Sequence, residues 1–393
     1  MTPETHTIAL RTKTPVHVGS GETLAALGYF VHGDQLYVIE QDAFFERLSD
    51  VEREQYLDWV YDAIDKRGDG PRLNEFVRNH LRPDDYESFA QSVSAYAVDT
   101  SDRPDPARGY WQPLRQPGRG PYFPGSSIKG ALRTAIMETV LDREEGAFKR
   151  LLGRLRTLNP DNWRGLRRRQ SEAWRETEAD IFRGGPTNKW AMNNDFMRFV
   201  SVSDTGSFDE QSALVVRTDS KGTSRKTAWN ETVDERFETR FSVTLRPEAP
   251  LHELGLPKHL RDYLSLDALF EALYERTRLH LDKEAYFMGS QGAEAISDTL
   301  YGLESENTPD TPLLRLGGGQ GFRSTTAMEI VHENAPDIYE KYVAKGMKNR
   351  RKSTNIIPER FPKTRRFIPR QTSPTERFRI DASVLGWVQL ERV

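Results

Sequence analysis

Apolar and polar positions alternate near both ends of the chain and recur at helical spacing between them. Ile8, Leu10 and Val16 mark a strand within Thr5–Val18, and Tyr29–Ile39 reads as a second strand turned by His32-Gly33-Asp34. Helical periodicity predicts helices across 41–66, 72–80 and 84–97. A Pro/Gly-rich connector from Arg103 to Pro121 leads into a helix whose Ile128, Leu132 and Ile136 recur every fourth residue. Residues 142–190 read as a helical insertion, after which Phe196–Val202 and Ala213–Thr218 return to strand character. The pattern then starts again with a strand at Arg240–Arg246 and helices around 258–281 and 282–303. A Gly317–Gly321 loop, a short helix from about Ser324 to His332, and strands at Phe378–Ile380 and Val384–Leu390 close the chain. Strand, helix and strand in each half predict an α+β fold with antiparallel sheets. The expected domains are 1–236, carrying the insertion, and 237–393.

One stretch has an obvious chemical use. Pro121-Tyr-Phe-Pro124-Gly125 is a stiff turn, because each proline fixes φ and glycine admits conformations a Cβ forbids. Ser126 or Ser127 is placed to cap the helix that follows, with Lys129 and Arg133 repeating on a neighbouring face beyond Gly130. Free N–H groups, hydroxyls and two cations at a helix start suit a phosphate; the alternative is an ordinary capped core helix. Gly125 and Gly130 have P-loop spacing, but Ala131 and Leu132 stand where Lys and Ser/Thr would reach the outer phosphates, which excludes a nucleotide hydrolase.

The other glycine clusters follow the same logic. Gly317-Gly318-Gly319 and Gly321 can form a concave nest of N–H groups or merely a flexible turn. Their spacing is not that of a dinucleotide fold. Arg315, Arg323 and Lys363 are the expected cationic companions of this loop. Gly19-Ser20-Gly21 repeats the device on a smaller scale, with Ser20 offering a hydroxyl. His17 beside it invites an acid–base reading, against which stands a hydrogen-bonded strand histidine with no second catalytic group in reach. The stretch from Asp219 to Lys226 reads equally as a hairpin or mobile loop that touches a ligand, or as a solvated loop.

Charge sharpens the picture. The 393 residues carry a formal charge of only −3, yet residues 345–370 hold ten Lys/Arg against Glu359, a net of +9. Residues 149–169 hold eight against Asp161, a net of +7, while 40–62 hold eight acids against Arg47 and Arg53, a net of −6. Cations gathered in this way suit a polyanion, although isolated charge runs are also common as solvated loops. Phe361 and Phe367 interrupt the second basic tract and can stack on bases or pack inward. There is no cysteine, so no thiolate site, and the eight histidines lack ligand spacing, so neither a metal nor another cofactor is expected. No apolar run approaches the ~18 residues of a membrane span and no secretion signal opens the chain, so a soluble, cytoplasmic location is expected.

Pro124-Gly-Ser-Ser-Ile-Lys-Gly-Ala-Leu-Arg133 resembles the signature of the RAMP proteins of type III CRISPR effector complexes. Thr14-Pro-Val-His17-Val-Gly-Ser-Gly21 is similar to that family's first strand and glycine loop, and Leu314-Arg-Leu-Gly317-Gly-Gly-Gln-Gly321-Phe322 to its glycine-rich loop. Phe361-Pro-Lys-Thr-Arg-Arg366 with Leu385-Gly-Trp-Val388 resembles the type III-A (Csm complex) member that caps the guide RNA. The resemblance implies two ferredoxin-like domains and an RNA-binding, non-catalytic subunit at the 3′ region of the crRNA, in antiviral defence. It implies backbone and small Csm subunits as partners, target RNA met through the complex, and a separate nuclease for 3′ trimming. The implied RNA-binding residues are His17, Gly19, Ser20, Gly21, Gly125, Ser126, Ser127, Lys129, Gly130, Arg133, Arg315, Gly317, Gly318, Gly319, Gly321, Phe322, Arg323, Lys363, Arg365 and Arg366. Backbone subunits of the family cleave target RNA with an Asp in the first loop; here Gly19–Gly28 offers only Glu22. The alternatives are a metal-independent endoribonuclease using His17, or another RAMP subunit of a type III-B complex.

Overall fold

The first strand, β1 (Glu4–Thr12), buries Ile8 and Leu10 and is the middle of a five-stranded sheet. The computed structural model describes residues 2–65, 71–100, 104, 109–116, 118–159, 163–185, 192–209, 211, 213–221, 227–321, 326–344, 365–369 and 382–393. Beside β1 run β10 (Glu238–Leu245) and β14 (Trp387–Arg392), flanked by β7 (Val200–Val202) and β11 (Leu313–Arg315), in the order β11-β14-β1-β10-β7. All four pairings are antiparallel, with Ile8 opposite both Phe241 and Arg392. The expected boundary at 236/237 therefore runs through this sheet, since β1 and β7 precede it and β10, β11 and β14 follow it.

The second sheet orders β2 (Gly19–Leu24), β6 (Tyr110–Pro113), β9 (Ala228–Val233), β8 (Ala213–Lys221), β5 (Ser94–Thr100), β4 (Gln35–Ile39) and β3 (Tyr29–His32). It is antiparallel except for β5 with β8 and β6 with β9. β12 (Arg365–Pro369) joins it along β8 and also pairs with β13 (Ala382–Ser383).

Helices cover the faces. Across β3–β5, α1 (Gln41–Arg47), α2 (Asp50–Asp65), α3 (Leu73–Phe76) and α4 (Tyr86–Val93) enclose an aromatic core of Phe30, Phe44, Tyr56 and Phe76. The first sheet packs on α5 (Gly125–Arg143) and α8 (Leu266–Ser290), while α6 (Glu145–Arg156) and α7 (Trp163–Phe182) form the insertion and α9 (Glu294–Glu306) lies along α8. Ile128, Leu132 and Ile136 are buried, each contributing about 1.5–3 kcal/mol of apolar transfer. α10 (Met328–Asn334) completes this layer.

The α+β class and the antiparallel character agree with expectation, and several boundaries move. The helix expected over 84–97 stops at Val93, because Ser94–Thr100 alternates and pairs with β4. β2, β6, β9 and β11 fall where the apolar pattern predicts loop or connector. Phe196–Phe199 is a turn of 3-10 helix begun by the Asp195 side chain, leaving only Val200–Val202 as strand. The break between the late helices falls after Ser290, at Gly292 (φ +71°), rather than at 281/282. Phe378–Ile380 lies outside the described residues. Among the described residues no helix is long and apolar enough to cross a membrane.

Candidate nucleic-acid interface

Three sequence-distant segments are sewn together where the two sheets meet. Trp387 N donates to Thr14 Oγ1 at 3.0 Å, Gly386 N to Pro15 O at 2.9 Å, and Leu316 N to Gly386 O at 2.7 Å. Gly318 N then donates to His17 O at 2.7 Å. The chains are so close that a Cβ on Gly317 (φ +74°) would lie 2.0 Å from His17 O. Positive φ recurs at Gly317, Gly319 and Gly321, the alternation that turns successive N–H groups to one side. The N–H groups of Gly319 and Gln320 have no hydrogen-bond partner among the described residues.

Beneath the loop lies Arg315. Its guanidinium is buried and donates to Leu385 O at 3.1 Å, Gly319 O at 3.3 Å and Gln320 O at 3.4 Å. Burial lowers its pKa to about 10, against the pull of Glu284. Arg315, expected as an RNA ligand, ties down loop carbonyls here, leaving the amides to face elsewhere. Arg365 is likewise buried, in an ion pair with Glu284 and 4.4 Å over the Phe287 ring. Its neighbour Arg366 points out of β12, is exposed, and acts electrostatically on His17. Lys363, Phe322 and Arg323 lie outside the described residues, as does most of 345–370 and the tip at 222–226.

His17 is buried, with Nδ1 2.7 Å from Glu231 O. Burial is the main reason its pKa falls below the usual value; the Glu231 carbonyl opposes the fall and Arg366 adds to it. The side chain of Glu231, fully enclosed, anchors the same strand from inside. Arg115 Nε donates to its Oε1 at 2.9 Å and lies 3.8 Å over the Tyr96 ring. Tyr96, 3.4 Å from Glu231 Oε2, has its pKa pushed up to about 12 by burial and by that carboxylate. Sequence reading missed this cluster, although a lone Glu inside the strand Ala228–Val233 was its one visible signal.

Two ladder steps connect His17 to the helix start. Leu114 N donates to Val18 O at 2.9 Å and Tyr122 N to Leu114 O at 3.1 Å, a separation of roughly 10 Å at sheet spacing. The helix begins at Gly125, where a Cβ would meet Val202 O at 2.3 Å. Its cap is neither Ser126 nor Ser127. Gly125 N donates to Asp204 Oδ1 at 2.8 Å, so a carboxylate from 79 residues away occupies that end. Ser126 and Gly130 are exposed and Ser127 is half-buried. Ser20 Oγ donates to Gln112 O and accepts from Glu22 N, both at 3.2 Å, so its hydroxyl is already engaged in the exposed β2, which also holds Gly19 and Gly21.

The two helix cations differ. Arg133 makes a bidentate pair with Asp195 (2.8 and 3.0 Å), reaches Glu178 at 3.1 Å and covers the Phe182 ring at 4.1 Å. Arg133, expected as a phosphate ligand, is thus engaged by carboxylates of the protein itself. Lys129 is half-buried without an ion pair among the described residues, and desolvation lowers its pKa. The tract 149–169 is also partly consumed: Arg150 pairs with Asp180, and Arg154 with Glu176 and Asp180.

What these features can do together is hold an extended anion by loop amides, Arg366 and Lys129. Two curated relatives, each called CRISPR system Cms protein Csm5, are similar in part. That of Streptococcus thermophilus is 24% identical over 138 residues, 34% of this chain and 38% of the relative. That of Mycobacterium tuberculosis is 23% identical over 158 residues, 37% and 42% of the two chains. The matched segments thus span less than half the length of these relatives. Among solved structures, a chain of the cryo-EM structure of a Csm-crRNA-target RNA ternary complex in a type III-A CRISPR-Cas system matches with TM-score 0.71 and 21% identity, covering 99% of this chain and 100% of that one. The crystal structure of T. onnurineus Csm5 gives TM-score 0.64 and 18% identity, covering 97% and 99%. The architecture is consistent with the double ferredoxin-like fold of these neighbours. A model of the RAMP superfamily matches residues 9–372, nearly the whole of the sheets and motifs just described, and the chain belongs to that superfamily.

Proposed function

We propose that this protein is a crRNA-binding, non-catalytic subunit of a type III-A CRISPR interference complex, holding the 3′ region of the guide. The observation that carries the reading is the junction at His17. There a glycine loop braced by buried Arg315 leaves two amides and the Arg366 side chain without a hydrogen-bond partner among the described residues. Two ladder steps lead from Val18 to Tyr122, just before the helix that carries Ser126, Ser127 and Lys129. Backbone amides and cations of this kind grip sugar-phosphate with little regard to sequence. Target RNA would be met through the assembled complex, and trimming of the guide left to a separate nuclease. The surroundings of His17 speak against cleavage: its Nδ1 is bonded to a backbone carbonyl rather than a carboxylate, and the charged group acting on it is a cation. The outer face of α2, with Leu57, Tyr61 and Ile64 48–68% exposed beside Glu54 and Asp58, is assigned to a neighbouring protein subunit instead of RNA.

The test is binding of labelled single-stranded repeat RNA at several salt concentrations. Lys129→Ala/Arg366→Ala should weaken it and flatten the log–log salt slope by about 0.7 for each phosphate no longer neutralised. An unchanged slope would favour a protein-only scaffold. RNA cleavage in EDTA that disappears in His17→Ala would favour the endoribonuclease reading.

A further inference from the structure

His17 has a feature that phosphate binding leaves unused. Its Nδ1 lies 2.7 Å from Glu231 O, and a carbonyl can only accept, so Nδ1 carries the hydrogen. In the neutral ring Nε2 is then a bare acceptor. The ring is kept neutral near pH 7 by burial and by Arg366. Nε2 has no hydrogen-bond partner among the described residues, and it faces Gly19 so closely that a Cβ there would lie 2.7 Å away. With glycine at this position no side chain competes for that nitrogen. The adjacent ring carbon Cδ2 lies against Gly318, at 3.2 Å from where its Cβ would be.

An acceptor-only nitrogen cannot bind a phosphate oxygen, which also only accepts. Nucleic acid offers it two kinds of donor: base N–H groups and, in RNA alone, the ribose 2′-hydroxyl. The groups around it are the amides of Gly319 and Gln320 and the Arg366 guanidinium, all suited to the backbone. A sugar is the part of the chain that lies beside a held phosphate. We propose that His17 Nε2 accepts a hydrogen bond from a ribose 2′-hydroxyl, making this junction selective for RNA over DNA. The proposal rests on the RNA-binding reading above and deepens it.

Wild-type protein is titrated with one single-stranded sequence made as RNA, as 2′-fluoro RNA and as DNA, followed by fluorescence anisotropy. The 2′-fluoro chain keeps the ribose pucker and lacks the donor. RNA should bind about three- to tenfold more tightly than 2′-fluoro RNA, the worth of one net hydrogen bond. His17→Leu, and His17→Gln as a companion that keeps a donor for Glu231 O, should abolish the difference in affinity between RNA and 2′-fluoro RNA. Equal wild-type affinity for RNA and 2′-fluoro RNA overturns the proposal while RNA binding stands. A preference that survives in a folded His17 variant overturns it too, by giving the hydroxyl to another group. Binding of none of the three overturns both readings.

Discussion

His17 owes its state to a partner 214 residues away, the carbonyl of Glu231, which no local reading can supply. The sequence did mark the residue, because histidine between a strand and Gly19-Ser20-Gly21 is unusual chemistry at an unusual place. It left the choice between acid–base and structural roles open, and burial with a bond to the Glu231 carbonyl supports the structural one. The lowered pKa has a consequence for stability. Between that pKa and the ordinary value near 6.5, the unfolded chain binds a proton that the folded one refuses, so stability rises with pH through this window and falls on acidification. Thermal midpoints of wild type and His17→Gln measured from pH 7.5 to 5 should diverge: the wild type loses more as pH drops below about 6.5, because only it must protonate a buried imidazole. Parallel curves would mean that the ring is not desolvated as described.

At the scale of the element, the helix at Gly125–Arg143 was legible in its apolar face and illegible at its start and on its cationic side. Ile128, Leu132 and Ile136 are buried because four-residue spacing dictates a common face. The cap could not be foreseen, since Asp204 reaches Gly125 N from a turn after β7. Lys129 and Arg133 look equivalent in sequence, one helical turn apart. Their surroundings distinguish them: Glu178 on α7 and Asp195 after the insertion both pair with Arg133, whereas Lys129 only feels the field of Asp195 and makes no ion pair among the described residues. β2 escaped notice for a related reason: Gly-Ser-Gly has poor strand propensity and is held extended by Gln112 O and the β6 ladder. Arg133→Met should therefore destabilise the protein by about 3 kcal/mol, because Asp195 and Glu178 lose a buried counter-charge. Lys129→Met should stay within about 0.5 kcal/mol of wild type. Urea denaturation of the two variants checks this, and equal losses would mean the two cations are equally engaged.

Across the whole molecule, chain order and spatial order part company. Strand–helix–strand repetition suggested two halves, and that periodicity is present, yet the first sheet is woven from both. β1 has β10 on one edge and β14 on the other, so each of its backbone edges is satisfied by residues beyond 236. β7 likewise pairs only with β10 in that sheet. A linear sequence gives no register between strands more than 200 positions apart, and the expected boundary was drawn where local patterning paused. Residues 1–236 alone would leave Ile8 and Leu10 on a strand with two unpaired edges, and 237–393 alone would leave β10 and β14 with a gap one strand wide. Produced separately, neither piece should protect the amides of the first sheet from exchange, although the strands β2–β6, β8 and β9 of the second sheet all lie within 1–236. Produced together they should associate, because the antiparallel register of β1 with both neighbours is specified by its buried face. The His17–Gly318 junction would then form only in the reassembled pair, and RNA binding should return with it. Protected β1 amides in residues 1–236 by themselves would show that β1 finds its pairing elsewhere and that the shared sheet is not what holds the halves together.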